Sequence, residues 1–160
     1  MAGKKAKYVL AVGTCASYGG PTAARPNPSE SKSVYDFLDR KVIRVPGCPS
    51  HPIWAIGTLA HIILYGEPEL DRENRPIIFY GVTIHDRCER RAYFDKGIFA
   101  SKLGDKECMF KLGCRGPITR TTCPIRRWND TINWPVGNNT PCIGCARNGF
   151  TDLMEPFVRY

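Results

Sequence analysis

Lys7-Tyr8-Val9-Leu10-Ala11-Val12-Gly13, followed at once by Thr14-Cys15-Ala16-Ser17-Tyr18-Gly19-Gly20-Pro21, decides how the first part of the chain folds. A short, nearly continuous apolar run closed by glycine predicts a strand buried on both faces, as in a parallel sheet. The small residues and paired glycines after it predict a tight loop at the strand's carboxyl end. The plan returns in Lys41-Val42-Ile43-Arg44-Val45, closed by Pro46-Gly47-Cys48-Pro49. Two cysteines therefore follow closely on two predicted strands. Ligands of open α/β sheets bind outside the carboxyl ends of the strands, which would turn Cys15 and Cys48 into one crevice. Isolated thiols are more commonly buried structural cysteines, but the matched placement of this pair favours ligands.

Working outward, Pro21 to Ser33 reads as loop, and Ser33 can cap a short helix over Val34 to Leu38. The clearest helix runs from Ser50 to Tyr65, with Ser50 as cap, Pro52 in the first turn and Gly66 as terminator. Its apolar residues Ile53, Trp54, Ile56, Leu59, Ile62, Ile63 and Leu64 occupy more than one face, so it is expected to be buried against the sheet and something further. His51, three residues after Cys48, is considered as a ligand but reads as a first-turn polar residue, and His61 as a core or edge histidine. Glu67 to Pro76 is a charged, proline-bounded connector, and the domain boundary is drawn there, giving residues 1–76 and 77–160. Ile77 to Tyr80 reads as a brief strand or extended entry. Two parallel strands and one helix cannot cover their own sheet. The fold class is therefore α/β, a partial doubly wound half-domain followed by an irregular cysteine-rich domain, and the chain is expected to need another polypeptide.

Composition bounds the rest. A 42% hydrophobic and 24% charged share is that of a soluble globular protein. No run of about 18 apolar residues predicts a membrane span, and Met1 to Lys7 has no h-region or cleavage site of a signal peptide. The net charge is +8. Residues 1–80 hold 10 Lys and Arg against 7 Asp and Glu, and residues 81–160 hold 13 against 8, so the excess is spread out. It suits an acidic partner or nucleic acid, and equally a solvated basic face.

Six of the eight cysteines and one histidine lie between His85 and Cys145. Disulfides are disfavoured by the missing export signal and by Cys142-x2-Cys145. Zinc and iron–sulfur clusters remain. His85, Cys88, Cys108 and Cys114 make four ligands, enough for a zinc ion or a 4Fe–4S cluster with one imidazole. Cys123, Cys142 and Cys145 make only three, which favours a 3Fe–4S cluster unless Asp or another chain completes a zinc site.

The runs Gly13-Thr14-Cys15-Ala16-Ser17-Tyr18-Gly19-Gly20, Pro46-Gly47-Cys48-Pro49, His85-Asp86-Arg87-Cys88, Leu112-Gly113-Cys114-Arg115-Gly116-Pro117, Asn133-Trp134-Pro135-Val136 and Pro141-Cys142-Ile143-Gly144-Cys145 together resemble the small subunit of nickel–iron hydrogenases. The similarity covers essentially the whole chain, in order. It implies a flavodoxin-like domain and an electron-transfer subunit with three clusters in line. The distal 4Fe–4S cluster would take His85, Cys88, Cys108 and Cys114. The medial 3Fe–4S cluster would take Cys123, Cys142 and Cys145, because Pro135 stands where relatives with a medial 4Fe–4S cluster place a fourth cysteine. Cys15 and Cys48 match two ligands of the proximal 4Fe–4S cluster, and the family's Cys-x-x-Cys that supplies the other two is not in this chain. A split subunit, a truncated gene or a fragment would each explain that.

The resemblance places the nickel–iron site on a large-subunit partner, so no catalytic residue is expected here. It also implies an external electron carrier, and Arg87, Arg90 and Arg91 near His85 would dock it or offset cluster charge, with the second favoured. The compartment, periplasmic or cytoplasmic, stays open. The rival reading is a zinc-stabilised nucleic-acid-binding module, weakened because aromatic and basic residues do not interleave. A fragment without physiological activity is the third.

Overall fold

The structure is a computed structural model and describes residues 2–152. Contacts divide these residues into two units, 2–81 with 145–152, and 82–144.

In the first unit, α1 (Ala2–Lys5) precedes a parallel pair of strands, β1 (Leu10–Val12) and β2 (Ile43–Val45). Their register matches Leu10 to Ile43, Ala11 to Arg44 and Val12 to Val45. Ala11, Val42, Ile43 and Val45 are buried, but Val12 is exposed, so the expected burial on both faces is only partly realised. The chain leaves β1 directly into α2 (Thr14–Tyr18), and the Ser17 hydroxyl donates back to Ala11 O at 3.0 Å. Ser33 caps α3 (Val34–Leu38) in a capping box with Asp36, satisfying two orphan amides reciprocally.

The long helix α4 (Pro52–Tyr65) is capped by His51, whose Nδ1 accepts the Ile53 N–H at 3.1 Å, not by Ser50. Ser50 is engaged elsewhere, donating its hydroxyl to Val45 O. Trp54 and Thr58 are buried, and the Phe79 ring lies so close to Gly57 that a Cβ there would sit 2.7 Å from it. The opposite face, Ile53, Ile56, Leu59, Ile63 and Leu64, is exposed. Five of the seven apolar residues expected to be covered are therefore exposed in this chain.

The expected strand at Ile77–Tyr80 is a helix, α5. Pro76 starts it with φ −58, its carbonyl accepts the N–H groups of Phe79 and Tyr80, and Gly81 N–H closes the turn onto Ile77 O. This turn buries Phe79 and Tyr80 together; Tyr80 packs edge-on against Trp54 at 5.5 Å and donates its hydroxyl to Pro46 O at 2.8 Å. The charged connector before it is folded, not a solvated linker. Asp71 accepts from Arg75 Nε at 2.8 Å and from the backbone N–H groups of Glu73 and Arg75, and Tyr18 donates to Glu73 at 2.6 Å.

The second unit is loops, 3₁₀ turns and two short helices, α6 (Arg91–Asp95) and α7 (Cys123–Arg126). Isolated bridges, Thr83 with Arg120, Phe99 with Cys108 and Trp128 with Asn133, stand in for a sheet. Met109, Trp134, Val136, Thr119 and Thr121 fill its interior.

Candidate metal centres

In the first unit the ladder of β1 and β2 continues past the strands. Gly13 N–H donates to Val45 O and Thr14 N–H to Gly47 O, both at 2.9 Å. The Thr14 hydroxyl accepts the Gly47 N–H at 2.9 Å and donates to Cys145 O. The residues immediately before Cys15 and before Cys48 are thus fastened together at the carboxyl ends of parallel strands. Both thiols are exposed. The partial desolvation of its sulfur, and then the neighbouring Cys15, pushes the Cys48 thiol up. Gly20 packs against Cys15, so close that a Cβ would meet its sulfur at 2.7 Å. The considered ligand His51 is buried as the helix cap, and His61 Nδ1 pairs with Gly66 O at 3.0 Å.

In the second unit His85, Cys88, Cys108 and Cys114 line one cavity, with Ile84, Met109 and Phe110 among its apolar walls. The donors arrive in two pairs, each flanking one short turn. His85 opens a 3₁₀ turn, Cys88 ends it, Cys108 precedes another over Met109–Leu112, and Cys114 follows that turn's left-handed Gly113. Arg90 N–H donates to Cys88 Sγ and Gly116 N–H to Cys114 Sγ, both at 3.4 Å. Burial pushes both of these thiols up, against the pull of those hydrogen bonds. Burial, helped by Arg91, holds the His85 imidazole below its ordinary value and so favours its neutral, ligating form. Its ring meets Phe94 edge-on at 4.4 Å, and Phe94 continues to Phe99 and Phe110. Among the described residues no group of three or more His, Cys, Asp or Glu side chains gathers as a single-ion site. The four donors line one cavity, and soft sulfur donors steadied by backbone N–H groups fit an anionic, sulfur-bridged group.

Cys123 opens α7 and is buried; burial pushes its thiol up, with Thr121 and Trp128 hydrogen bonds pulling against it. Cys142 is buried in the same unit, and its carbonyl accepts the Arg115 N–H at 2.7 Å, tying it to the residue after Cys114. Cys145 belongs to the first unit, where Thr14 holds its carbonyl. Thr14 and Trp128 carry no sequence signal that would have marked them as supports for thiols. The three arginines grouped by sequence are separated by the structure. Arg87 is exposed, Arg91 pairs with Asp95 at 2.7 Å and with Asp86 at 3.6 Å, and Arg90 is buried.

Comparison with known proteins gives this architecture its class. Residues 80–158 match the C-terminal family of the NiFe/NiFeSe hydrogenase small subunit, and residues 1–62 match the 20 Kd subunit family of NADH ubiquinone oxidoreductase. Both are families of oxidoreductase subunits. The periplasmic [NiFe] hydrogenase small subunit of Solidesulfovibrio fructosivorans is 42% identical over 98% of this chain and 51% of its own length. A reduced, active form of the Ni-Fe-Se hydrogenase from Desulfomicrobium baculatum superposes with a TM-score of 0.88 at 42% identity, over 96% of this chain and 60% of that one. The actinobacterial-type NiFe-hydrogenase from Ralstonia eutropha H16 gives 0.90 at 34% identity, over 97% and 49%. The chain belongs to the nickel–iron hydrogenase small-subunit family, and it spans about half the length of the curated relatives it matches. Membership implies iron–sulfur clusters. Among the described residues no helix is long and apolar enough to cross a membrane.

Proposed function

We propose that this chain is an electron-transfer part of a nickel–iron hydrogenase, relaying electrons between an H2-activating site on a large-subunit partner and an external carrier. The observation that carries the reading is the single cavity lined by His85, Cys88, Cys108 and Cys114. In this reading those four residues hold the distal 4Fe–4S cluster, and Cys123, Cys142 and Cys145 hold a medial 3Fe–4S cluster, with Pro135 where a fourth thiol would stand. Cys15 and Cys48 supply two ligands of a proximal 4Fe–4S cluster. The other two come from a Cys-x-x-Cys on a further polypeptide segment, which would also cover the exposed face of α4.

Bound clusters supply one-electron carriers at potentials set by ligand charge, hydrogen bonds to sulfur and exposure. The chain's own residues arrange those conditions. Arg90 and Gly116 direct N–H groups at ligand sulfurs, and the apolar walls limit water around them. A neutral His85 in place of a thiolate leaves the distal site less negative. Its partial exposure gives electrons an exit toward a docked carrier. This chain carries no catalytic residue of its own.

The test is anaerobic purification with the copurifying partners, followed by iron, acid-labile sulfide and zinc assays. Iron and sulfide at cluster stoichiometry are expected. A colourless preparation with stoichiometric zinc and no acid-labile sulfide would overturn the reading and favour a zinc module.

A further inference from the structure

Arg90 lies two residues after Cys88, in the wall of the cavity that Cys88 helps to line, and is only 7% exposed. Its guanidinium donates from Nη1 to Asp105 O at 2.6 Å and Glu107 O at 3.0 Å, and from Nη2 to Asn139 Oδ1. All three acceptors are neutral oxygens. They engage three of its five N–H donors but leave its charge uncompensated, and among the described residues it makes no ion pair. Arginine does not escape by losing its proton. A buried cation without a counter-ion is strongly disfavoured, so the missing negative charge is best supplied by whatever fills the cavity. Arg87 and Arg91 do not share this position, the first being exposed and the second paired with Asp95 and Asp86.

We propose that Arg90 is the buried counter-charge and clamp of the distal site. This rests on the reading of His85, Cys88, Cys108 and Cys114 as ligands of one cluster. Three thiolates around an iron–sulfur core give a net negative group, and an added electron deepens that charge. A fixed cation alongside therefore raises the site's electron affinity. The planar fork does a second job. Two of its bonds hold the Asp105–Glu107 segment that leads into Cys108, and the third holds Asn139, while the Arg90 backbone N–H meets Cys88 Sγ. Arg90 is thus a positioning residue that fastens three segments around the cavity.

Arg90→Gln removes the charge, and Arg90→Lys keeps the charge but loses the fork. The experiment uses the purified complex with its partners, with 15N-labelled histidine to identify the imidazole-ligated cluster by its nitrogen hyperfine coupling. Redox titration of that signal is expected to show about tenfold weaker electron affinity in Arg90→Gln, about 59 mV for one electron. Arg90→Lys is expected to keep the wild-type potential and to lose iron to a chelator about tenfold faster. Wild-type potential and wild-type iron retention in Arg90→Gln would overturn the proposal. Should Arg90→Gln not accumulate, Arg90→Lys decides, and unchanged iron retention in it overturns the clamp. Failure of the underlying cluster reading looks different, because the wild-type preparation would then contain no acid-labile sulfide.

Discussion

Thr14 and Gly47 hold each other twice: the Thr14 N–H donates to Gly47 O at 2.9 Å, and the Gly47 N–H donates to Thr14 Oγ1 at 2.9 Å. The register of β1 on β2 is thereby carried one step further, to the residues that precede Cys15 and Cys48. The residues before two thiols distant in sequence are fixed relative to each other by this reciprocal pair of hydrogen bonds. The same hydroxyl donates to Cys145 O, so a buried threonine steadies the backbone at three of the candidate ligands.

Replacing Thr14 by the isosteric valine keeps the shape and removes the hydroxyl. Gly47 N–H and Cys145 O each lose a buried partner, at about 1–3 kcal/mol apiece. A loss of about 2–6 kcal/mol is expected for Thr14→Val by denaturant unfolding. Thr14→Ser, which retains both bonds, is expected to lose less than about 1.5 kcal/mol. A Thr14→Val loss smaller than the Thr14→Ser loss would show that the methyl group, not the hydroxyl, matters.

What could be read in the sequence follows from how local each signal is. The strand ends at Cys15 and Cys48, the helix cap at Ser33 and the helix through Trp54 rest on short-range patterns and are found as expected. Ile77–Tyr80 could not be read, because four apolar residues fit either period until Pro46 and Trp54 take up Tyr80. Nor could the cap at His51, since the competing claim of Val45 O on Ser50 arises only once β2 is in place. Arg90 looked like its neighbours because burial is a tertiary property, and its acceptors lie 15, 17 and 49 residues away.

His85 is the most carrier-accessible position of the distal set in the proposed function. His85→Ala is expected to leave hydrogen/deuterium exchange at the partner's nickel site largely intact, while reduction of an external acceptor falls about 10–100-fold. Parallel loss of both activities would place His85 outside the exit route.

Asp71 gives the first unit an acid-sensitive joint. Burial opposes its ionisation, but the bonds from the Arg75 side chain and backbone prevail and hold the carboxyl below its ordinary value. A depressed carboxylate stabilises the fold fully above its unfolded pKa of about 3.9. That contribution is lost as pH falls from there through the lower folded value. Unfolding followed from pH 6 to 2 is expected to show this acid limb in the wild type and a shallower one in Asp71→Asn. The variant should also be less stable at neutral pH, by about 1–3 kcal/mol, less than for a fully buried pair because Asp71 keeps some solvent contact and Glu73 remains 3.6 Å from Arg75. Identical pH slopes would mean that other carboxylates set the acid limit.

Gly20 tests how tightly the Cys15 turn is specified. Its φ is 58, and a Cβ would stand 2.7 Å from Cys15 Sγ and 2.9 Å from both Cys15 Cα and N. The left-handed backbone alone costs alanine about 1–2 kcal/mol, and a clash with main-chain atoms cannot be relieved by a rotamer change, adding about 1–3 kcal/mol. Gly97→Ala separates the two effects, because Gly97 has φ 69 with nothing within 4 Å of a Cβ. Gly20→Ala is therefore expected to cost about 2–5 kcal/mol and Gly97→Ala only the backbone share. Cys15, displaced by the new methyl group, should also change its rate of alkylation in the iron-free chain, while Cys88 and Cys114 in the other unit keep theirs. A Gly20→Ala variant with the Gly97→Ala penalty and an unchanged Cys15 rate would show that the turn yields without moving the thiol.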